Sequence, residues 1–265
     1  MLEERVNDIS LLFFENLAGY EEIFHFVSTR SGGFSSPPYD SLNLGFHVGD
    51  EPEVVLKNRK KFASALGVPL ESFTFAEQVH DGRVVVVGEE LKGRGAFSRD
   101  TAIKAADAMV TDVPGICLTV LVADCVPLLF YHPEKKVVGV AHAGWRGTVR
   151  RIAQSVLRVF VEGFGCSPEG ILVGLGPSIG PCCYEVGPDV ASLFDGRFLK
   201  FRGEKTYLDL WEANRAQLIE MGVPEEKVEV AGICTCCNHD LFFSARRHKG
   251  RTGRFGAGIM LNELR

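Results

Sequence analysis

No charge of one sign dominates this chain: 29 Lys and Arg stand against 34 Asp and Glu, for a formal net charge of −5. That excludes the broad basic field needed to hold a nucleic-acid backbone. Runs of five like charges and low-complexity tracts are also missing, so nothing marks a disordered interaction tail. Long apolar runs are scarce. The longest stretch, from Gly115 to Tyr131, is interrupted by Asp124 and Pro127 and does not read as a membrane span. The N-terminus, Met1-Leu-Glu-Glu-Arg-Val6, is acidic where a secretory signal carries positive charge, and Leu11-Leu-Phe-Phe14 is too short for a signal core. The expected location is therefore cytoplasmic. In that reducing setting the eight cysteines serve as ligands, nucleophiles or buried side chains rather than disulfides.

What is present describes a compact globule. The chain has 265 residues, 46% of them hydrophobic and 24% charged. Area scaling predicts about 11,000 Å² exposed after folding, roughly a quarter of the extended chain's surface. A Gly/Ser/Pro-rich loop, Ser31-Gly-Gly-Phe-Ser-Ser-Pro-Pro38, lies too near the start to end a domain, so one domain over residues 1–265 is expected. Strand-like runs occur at Phe24–Thr29, Phe73–Glu77, Arg83–Gly88, Ile116–Ala123, Val126–Tyr131, Lys136–Ala141, Ile171–Leu175, Val228–Ala231 and Gly256–Leu261. Helical spacing predicts Glu51–Leu66, capped by Asp50 and stopped by Gly67, and a second helix over about Gly147–Val161. Shorter helical patterns fall at Pro188–Phe194 and Leu208–Met221. The irregular interleaving, with a hairpin at Val126–Ala141, favours an α+β fold with mixed sheets packed against helices.

Chemistry gathers where three of these runs end. One leads into Gln78-Val79-His80, a second into Asp124-Cys125-Val126, a third into His142-Ala-Gly-Trp-Arg-Gly147. Separations of 45 residues from His80 to Cys125 and 17 from Cys125 to His142 match no compact zinc-finger spacing. Taken singly, each histidine also fits a hydrogen-bonded surface residue and Cys125 a small buried hydrophobe. Together, two imidazoles and a thiol supply three borderline ligands and leave a fourth tetrahedral position open, as a catalytic zinc requires.

Specific resemblance enters with Ser41-Leu-Asn-Leu-Gly45, Asn58-Arg59, Gln78-Val-His80, Ala106-Asp-Ala108, Ala123-Asp-Cys-Val-Pro127 and His142-Ala-Gly-Trp-Arg-Gly147. Gly176-Pro-Ser-Ile-Gly-Pro181, Tyr184-Glu-Val-Gly187, Cys234-Thr235, Phe242-Phe-Ser244 and Arg246-Arg247 continue it in consistent order. The pattern resembles the multicopper polyphenol oxidase (laccase) domain family over residues 24 to 262, and within it the YfiH/YlmD-like group of purine nucleoside phosphorylases. The resemblance implies one α+β domain, a zinc on His80, Cys125 and His142, and phosphorolysis of adenosine, inosine and methylthioadenosine with adenosine deamination as a further activity. Candidate substrate contacts are Asn43, Arg59, Asp124 and Arg146, with Asp124 as proton donor and the two guanidinium groups as an anion clamp. Expected partners are a purine nucleoside and phosphate, with neither nucleic acid nor membrane, on a monomer or weak homodimer.

The oxidase name can be tested against composition. Seven histidines occur and none forms a His-X-His pair, whereas a mononuclear copper plus a trinuclear cluster needs more of both. Copper at the His₂Cys group remains an alternative to zinc, since Cu²⁺ binds such donors more tightly. A second functional class is a metal-free cysteine amidase on cell-wall peptide precursors, with Cys125 as nucleophile and His142 or His80 as base. A third is a non-catalytic module with a structural zinc. Cys234-Thr-Cys-Cys-Asn-His239 offers four donors in six residues but no evident distant pair, so a packed loop is expected there. Cys182 and Cys183 are expected to be structural, Gly174–Gly180 a turn, and the basic Arg246–Arg251 stretch a solvated loop.

Overall fold

Short β-branched runs and intervening helices assemble in a computed structural model that describes residues 1–263. In chain order the first strands are β1 (Leu2–Val6), β2 (Ile9–Phe13), β3 (Ile23–Ser28), β4 (Phe73–Phe75), β5 (Val84–Val86), β6 (Ala108–Thr111), β7 (Cys117–Val122), β8 (Val126–His132) and β9 (Val137–Ala143). Then come β10 (Leu172–Leu175), β11 (Glu185–Val186), β12 (Leu199–Arg202), β13 (Lys205–Leu208), β14 (Val228–Val230) and β15 (Phe255–Leu261). The α-helices are α1 (Glu15–Ala18), α2 (Pro52–Leu66), α3 (Trp145–Val149), α4 (Ile152–Arg158), α5 (Pro188–Ala191) and α6 (Leu210–Glu220).

Two six-stranded sheets result, ordered β1-β2-β3-β15-β7-β4 and β14-β10-β8-β9-β6-β5, with a smaller β11-β13-β12 sheet. Both large sheets are mixed. The pairs β4–β7, β5–β6 and β10–β14 are parallel, and the hairpin β8–β9 is antiparallel. The α+β expectation is met.

Side-chain alternation sets the layers. On β8, Leu128 and Phe130 join an apolar cluster with Ile152, Val156 and Leu218, while Leu129 and Tyr131 join Val120, Val140 and Ile259. On β7, Cys117 and Leu121 turn to a third cluster with Phe26, Phe62 and Phe73. The two large sheets therefore pack face to face, with α2 over one outer face and α4 and α6 over the other. Strands covered on both faces read as continuous apolar runs, which is why β7, β8 and β9 stood out in the sequence. The folded chain exposes 11221 Å². No described helix is long and apolar enough to cross a membrane.

Several local expectations change. Helix α2 starts with Pro52 in its first turn and ends at Gly67 with φ 66°. Its cap position is Glu51, though, and not Asp50. Asp50 accepts the Glu51 N–H through Oδ1 and ties Ser35 Oγ and Asn43 Nδ2 through Oδ2. The helix expected over Gly147–Val161 breaks at Arg151, whose φ is 58°. There the Gln217 side chain on α6 donates to the Thr148 carbonyl at 2.8 Å, occupying an acceptor that a continuous helix would use. The hairpin of β1 and β2 went unread because four of the five β1 residues are exposed and show no apolar face.

Candidate active site and metal centre

Strand pairing explains how residues far apart in sequence meet. The β8–β9 register sets Val126 against Ala143 and Pro127 against His142, which brings the preceding Cys125 to Gly144. Strand β4 runs parallel beside β7, so the loops that follow both strands, carrying His80 and Cys125, leave the same end of the sheet. The ligand atoms of His80, Cys125 and His142 all lie within 4.8 Å of one another. The two imidazole rings meet edge-to-face at 4.8 Å between centroids.

Close approach here requires a glycine. A Cβ on Gly144 would sit 2.8 Å from Cys125 Sγ and 3.3 Å from His80 Cδ2. His80 itself holds φ 61°, a left-handed conformation that histidine tolerates better than most side chains.

Asp107, at the start of β6 and buried, organises both histidines. Its Oδ1 lies 2.9 Å from His142 Nδ1, which fixes that ring with Nε2 turned the other way. The same carboxylate accepts the backbone N–H groups of Val79, His80 and Asp81 at 3.1, 3.0 and 2.7 Å. A carboxylate behind a histidine is the usual partner of a metal-ligating imidazole.

The Cys125 thiol and the His142 imidazole each favour the other's charged form against the burial that opposes it. Burial opposes ionisation of Cys125, but the facing His142 and His80 outweigh it and lower the thiol. Burial likewise opposes charge on His142, and Cys125 and Asp107 together raise it. Asp107 is held below the carboxylate range, with His142 and the loop N–H groups overcoming its burial.

Other polar groups ring this centre. His47 is pushed down to about 4 by burial and by the nearby guanidinium groups of Arg254, Arg99 and Arg59. Arg254 is lowered by burial while the charges of Cys125 and Asp124 draw it back up. The Tyr184 phenol is raised by burial and by the Cys125 charge, which keeps its hydroxyl protonated.

The candidate substrate residues fall into two kinds. Arg146 is exposed, with its guanidinium 4.3 Å from the Trp145 ring centroid, and it makes no side-chain hydrogen bond among the described residues. Asn43, Arg59 and Asp124 are buried and already engaged. Asn43 Nδ2 donates to Asp50 Oδ2 and its Oδ1 accepts the N–H groups of Gly45 and Arg254. Arg59 donates to the carbonyls of Leu44, Gly95 and Ala96 and lies between the Phe46 and Phe75 rings. Asp124 accepts from Thr235 Oγ1 at 2.6 Å and from the Arg246 N–H at 2.8 Å, so both oxygens brace neighbouring loops.

Sequence reasoning assigned no role to Asp107, His47, Tyr184 or Arg254. Asp107 did carry a signal, a lone acid between Ala106 and Ala108 at a strand start. One expectation is overturned outright. The Cys234–His239 segment does have a distant cysteine pair, because Cys182 and Cys183 lie against Cys234 and Cys237.

The sequence model described as multi-copper polyphenol oxidoreductase laccase matches residues 24–262. Among the similar proteins is "Purine nucleoside phosphorylase YlmD" of Bacillus subtilis (strain 168), 39% identical over 92% of this chain and 90% of that one. Another, "Adenosine deaminase RL5" from an unknown prokaryotic organism, is 35% identical over 90% of this chain and 94% of that one. The crystal structure of YlmD from Geobacillus stearothermophilus superposes with a TM-score of 0.93 at 36% identity, covering 98% of each chain. With the match covering residues 24–262 and so every residue of the His80, Cys125 and His142 group, the chain belongs to the multi-copper polyphenol oxidoreductase laccase family.

Proposed function

We propose that the chain is a zinc-dependent purine nucleoside phosphorylase acting on adenosine, inosine and methylthioadenosine, with adenosine deamination as a second activity. The observation that carries this reading is the convergence of three metal-ligating atoms within 4.8 Å, braced by Asp107. The names of the YlmD and RL5 relatives support the substrate class. The donors fit zinc: two imidazoles and a lowered thiol, with the Gly144 cradle clearing space beside them. A zinc held there supplies Lewis-acid charge at a coordination position the three side chains leave open.

In phosphorolysis a phosphate oxygen bonds to the ribose anomeric carbon as the bond to the purine nitrogen breaks. The electron pair leaves on the purine, which takes up a proton. We assign phosphate binding to Arg146, whose side chain makes no hydrogen bond among the described residues, with Arg254, which donates to the Thr252 and Gly253 carbonyls and feels the charge of Cys125, adding positive charge nearby. Tyr184 serves as a hydrogen-bond donor, since its raised phenol does not ionise. Asp124 keeps a positioning task because both its oxygens are occupied.

Inosine with phosphate should yield hypoxanthine and ribose 1-phosphate, and neither should form in phosphate-free buffer. Free ribose released at the same rate without phosphate would mean hydrolysis and end the phosphorylase reading. Gly144→Ala should lower zinc affinity and turnover at least about tenfold, because displacements of an ångström at a reacting centre carry penalties of that order or more. Chelator competition checks it, and an affinity equal to that of the parent would show that the cradle is not needed.

A second reading rests on the line Asp107, His142, Cys125, which also has the form of a cysteine hydrolase triad. It gives no task to His80, whose ring contacts that of His142. Activity that survives complete metal removal would favour the triad. A multicopper oxidase finds no support, because the clustered metal-ligating side chains among the described residues include two histidines in all. Copper at the three-ligand group is decided by elemental analysis of protein purified without added metal.

A further inference from the structure

Strands β10 and β14 are parallel neighbours, paired from Val173 with Val228 to Leu175 with Val230, and a bridge between Ser178 and Cys234 continues the pairing. The loops that follow them therefore leave the sheet side by side. The first carries Cys182 and Cys183, the second Cys234 and Cys237. All four Sγ atoms lie within 4.8 Å of one another. Cys237 Sγ is 3.6 Å from Cys182 Sγ and 3.4 Å from Cys183 Sγ. A Zn–S bond of about 2.3 Å sets the sulfurs of a regular tetrahedron about 3.8 Å apart. The quartet is close to that size.

The alternatives fit less well. All four are free thiols, and Cys182 and Cys237 are exposed, whereas a cysteine kept only for packing is usually buried. A polynuclear iron–sulfur cluster needs a wider cage, because its thiolates sit on different iron atoms. The Gly180 N–H donates to Cys234 Sγ at 3.3 Å, a bond that orients and stabilises a ligating thiolate. Cys236 and His239, which made the segment look like a self-contained knuckle, are outside the quartet.

We propose that Cys182, Cys183, Cys234 and Cys237 form a second, closed tetrathiolate site for one thiophilic divalent cation, zinc or iron. Four protein ligands leave no open position, so the site is structural rather than catalytic. It stands independently of the reaction argued above. Its place in the fold gives it a task. The two clamped loops hold the turn before Cys125: Thr235 Oγ1 donates to Asp124 Oδ1 at 2.6 Å and the Ile179 N–H donates to the Asp124 carbonyl at 2.9 Å. Metal in the quartet would fix these loops and, through Asp124, the position of Cys125.

The test counts metal in reduced full-length protein purified without additions. Two equivalents are expected in the parent, one in Cys182→Ser/Cys237→Ser and one in Cys125→Ser. Elemental analysis separates zinc from iron. Cobalt loaded into Cys125→Ser should give the strong sulfur-to-metal charge-transfer bands of a tetrathiolate. A parent with one equivalent, kept in Cys125→Ser and lost in the cysteine pair variant, would support the quartet while removing the catalytic metal. Metal content that is the same in the parent and the pair variant would overturn the proposal. A check on the parent alone guards against a misfolded variant. Cys182 and Cys237 should resist iodoacetamide until a chelator strips the metal. Immediate alkylation of both without metal release, or a disulfide within a metal-free quartet, would equally overturn it.

Discussion

If the proposed function holds, Cys125→Ser should lose the catalytic metal and at least about a thousandfold in phosphate-dependent hypoxanthine release, more than the loss expected for a residue behind a ligand. The size follows from the ligand count. Changing residues behind a metal ligand already costs about 10- to 100-fold in affinity or activity, and removing a ligand costs more. Serine keeps the shape of the side chain but not its chemistry. The facing His142 and His80 lower the Cys125 thiol and make a thiolate available, whereas a hydroxyl in the same place stays protonated. Two imidazoles remain, too few for a tight site. Folding should be little affected, since Cys125 sits in the turn between β7 and β8 and outside the apolar clusters. Metal content per folded chain, with the quartet disabled by Cys182→Ser/Cys237→Ser, gives the cleanest measurement. Full retention of metal by the combined variant would remove Cys125 from the ligand set.

The positions of His80, Cys125 and His142 were legible in the sequence because each follows or ends a strand buried on both faces. Runs such as Ile116–Ala123 and Lys136–Ala141 are dense in β-branched and aliphatic residues, and the polar residue that breaks each run stands out. What the sequence could not supply was pairing between strands distant along the chain. Asp107 reaches both histidines only because β6 pairs with β9, setting Ala108 against Ala141. The cysteine quartet depends in the same way on β10 lying parallel to β14, and Cys182 and Cys237 are 55 residues apart. Short-range spacing rules for metal motifs cannot see such a pair. Charged elements were also missed for a common reason. The β1 strand, Leu2-Glu-Glu-Arg-Val6, and the β12–β13 hairpin with Lys200, Arg202 and Lys205 show little apolar alternation because most of their residues face water.

Asp107→Ala should damage metal binding and stability together, and the two effects can be measured separately. In the folded chain the Asp107 carboxylate holds four donors: the His142 ring and the N–H groups of Val79, His80 and Asp81. Truncation frees His142 to turn and to exchange tautomers, which alone predicts a loss of about 10- to 100-fold in metal affinity. It also releases the loop that presents His80 in its left-handed conformation, so a second ligand loses its position. Backbone donors left without an acceptor, beside a histidine that has lost its counter-charge, cost about 2–4 kcal/mol of stability even in metal-free protein. Asp107→Asn separates the two parts. Its carbonyl can still accept from His142, but its NH₂ group then faces the Val79 and Asp81 N–H groups as donor against donor. That variant should keep more metal affinity than Asp107→Ala while recovering little of the stability. Chelator competition reads the first quantity and thermal unfolding of the stripped proteins reads the second. Metal affinity within twofold of the parent in Asp107→Ala would mean that His80, Cys125 and His142 are held by packing alone, and the positioning role of Asp107 would be wrong.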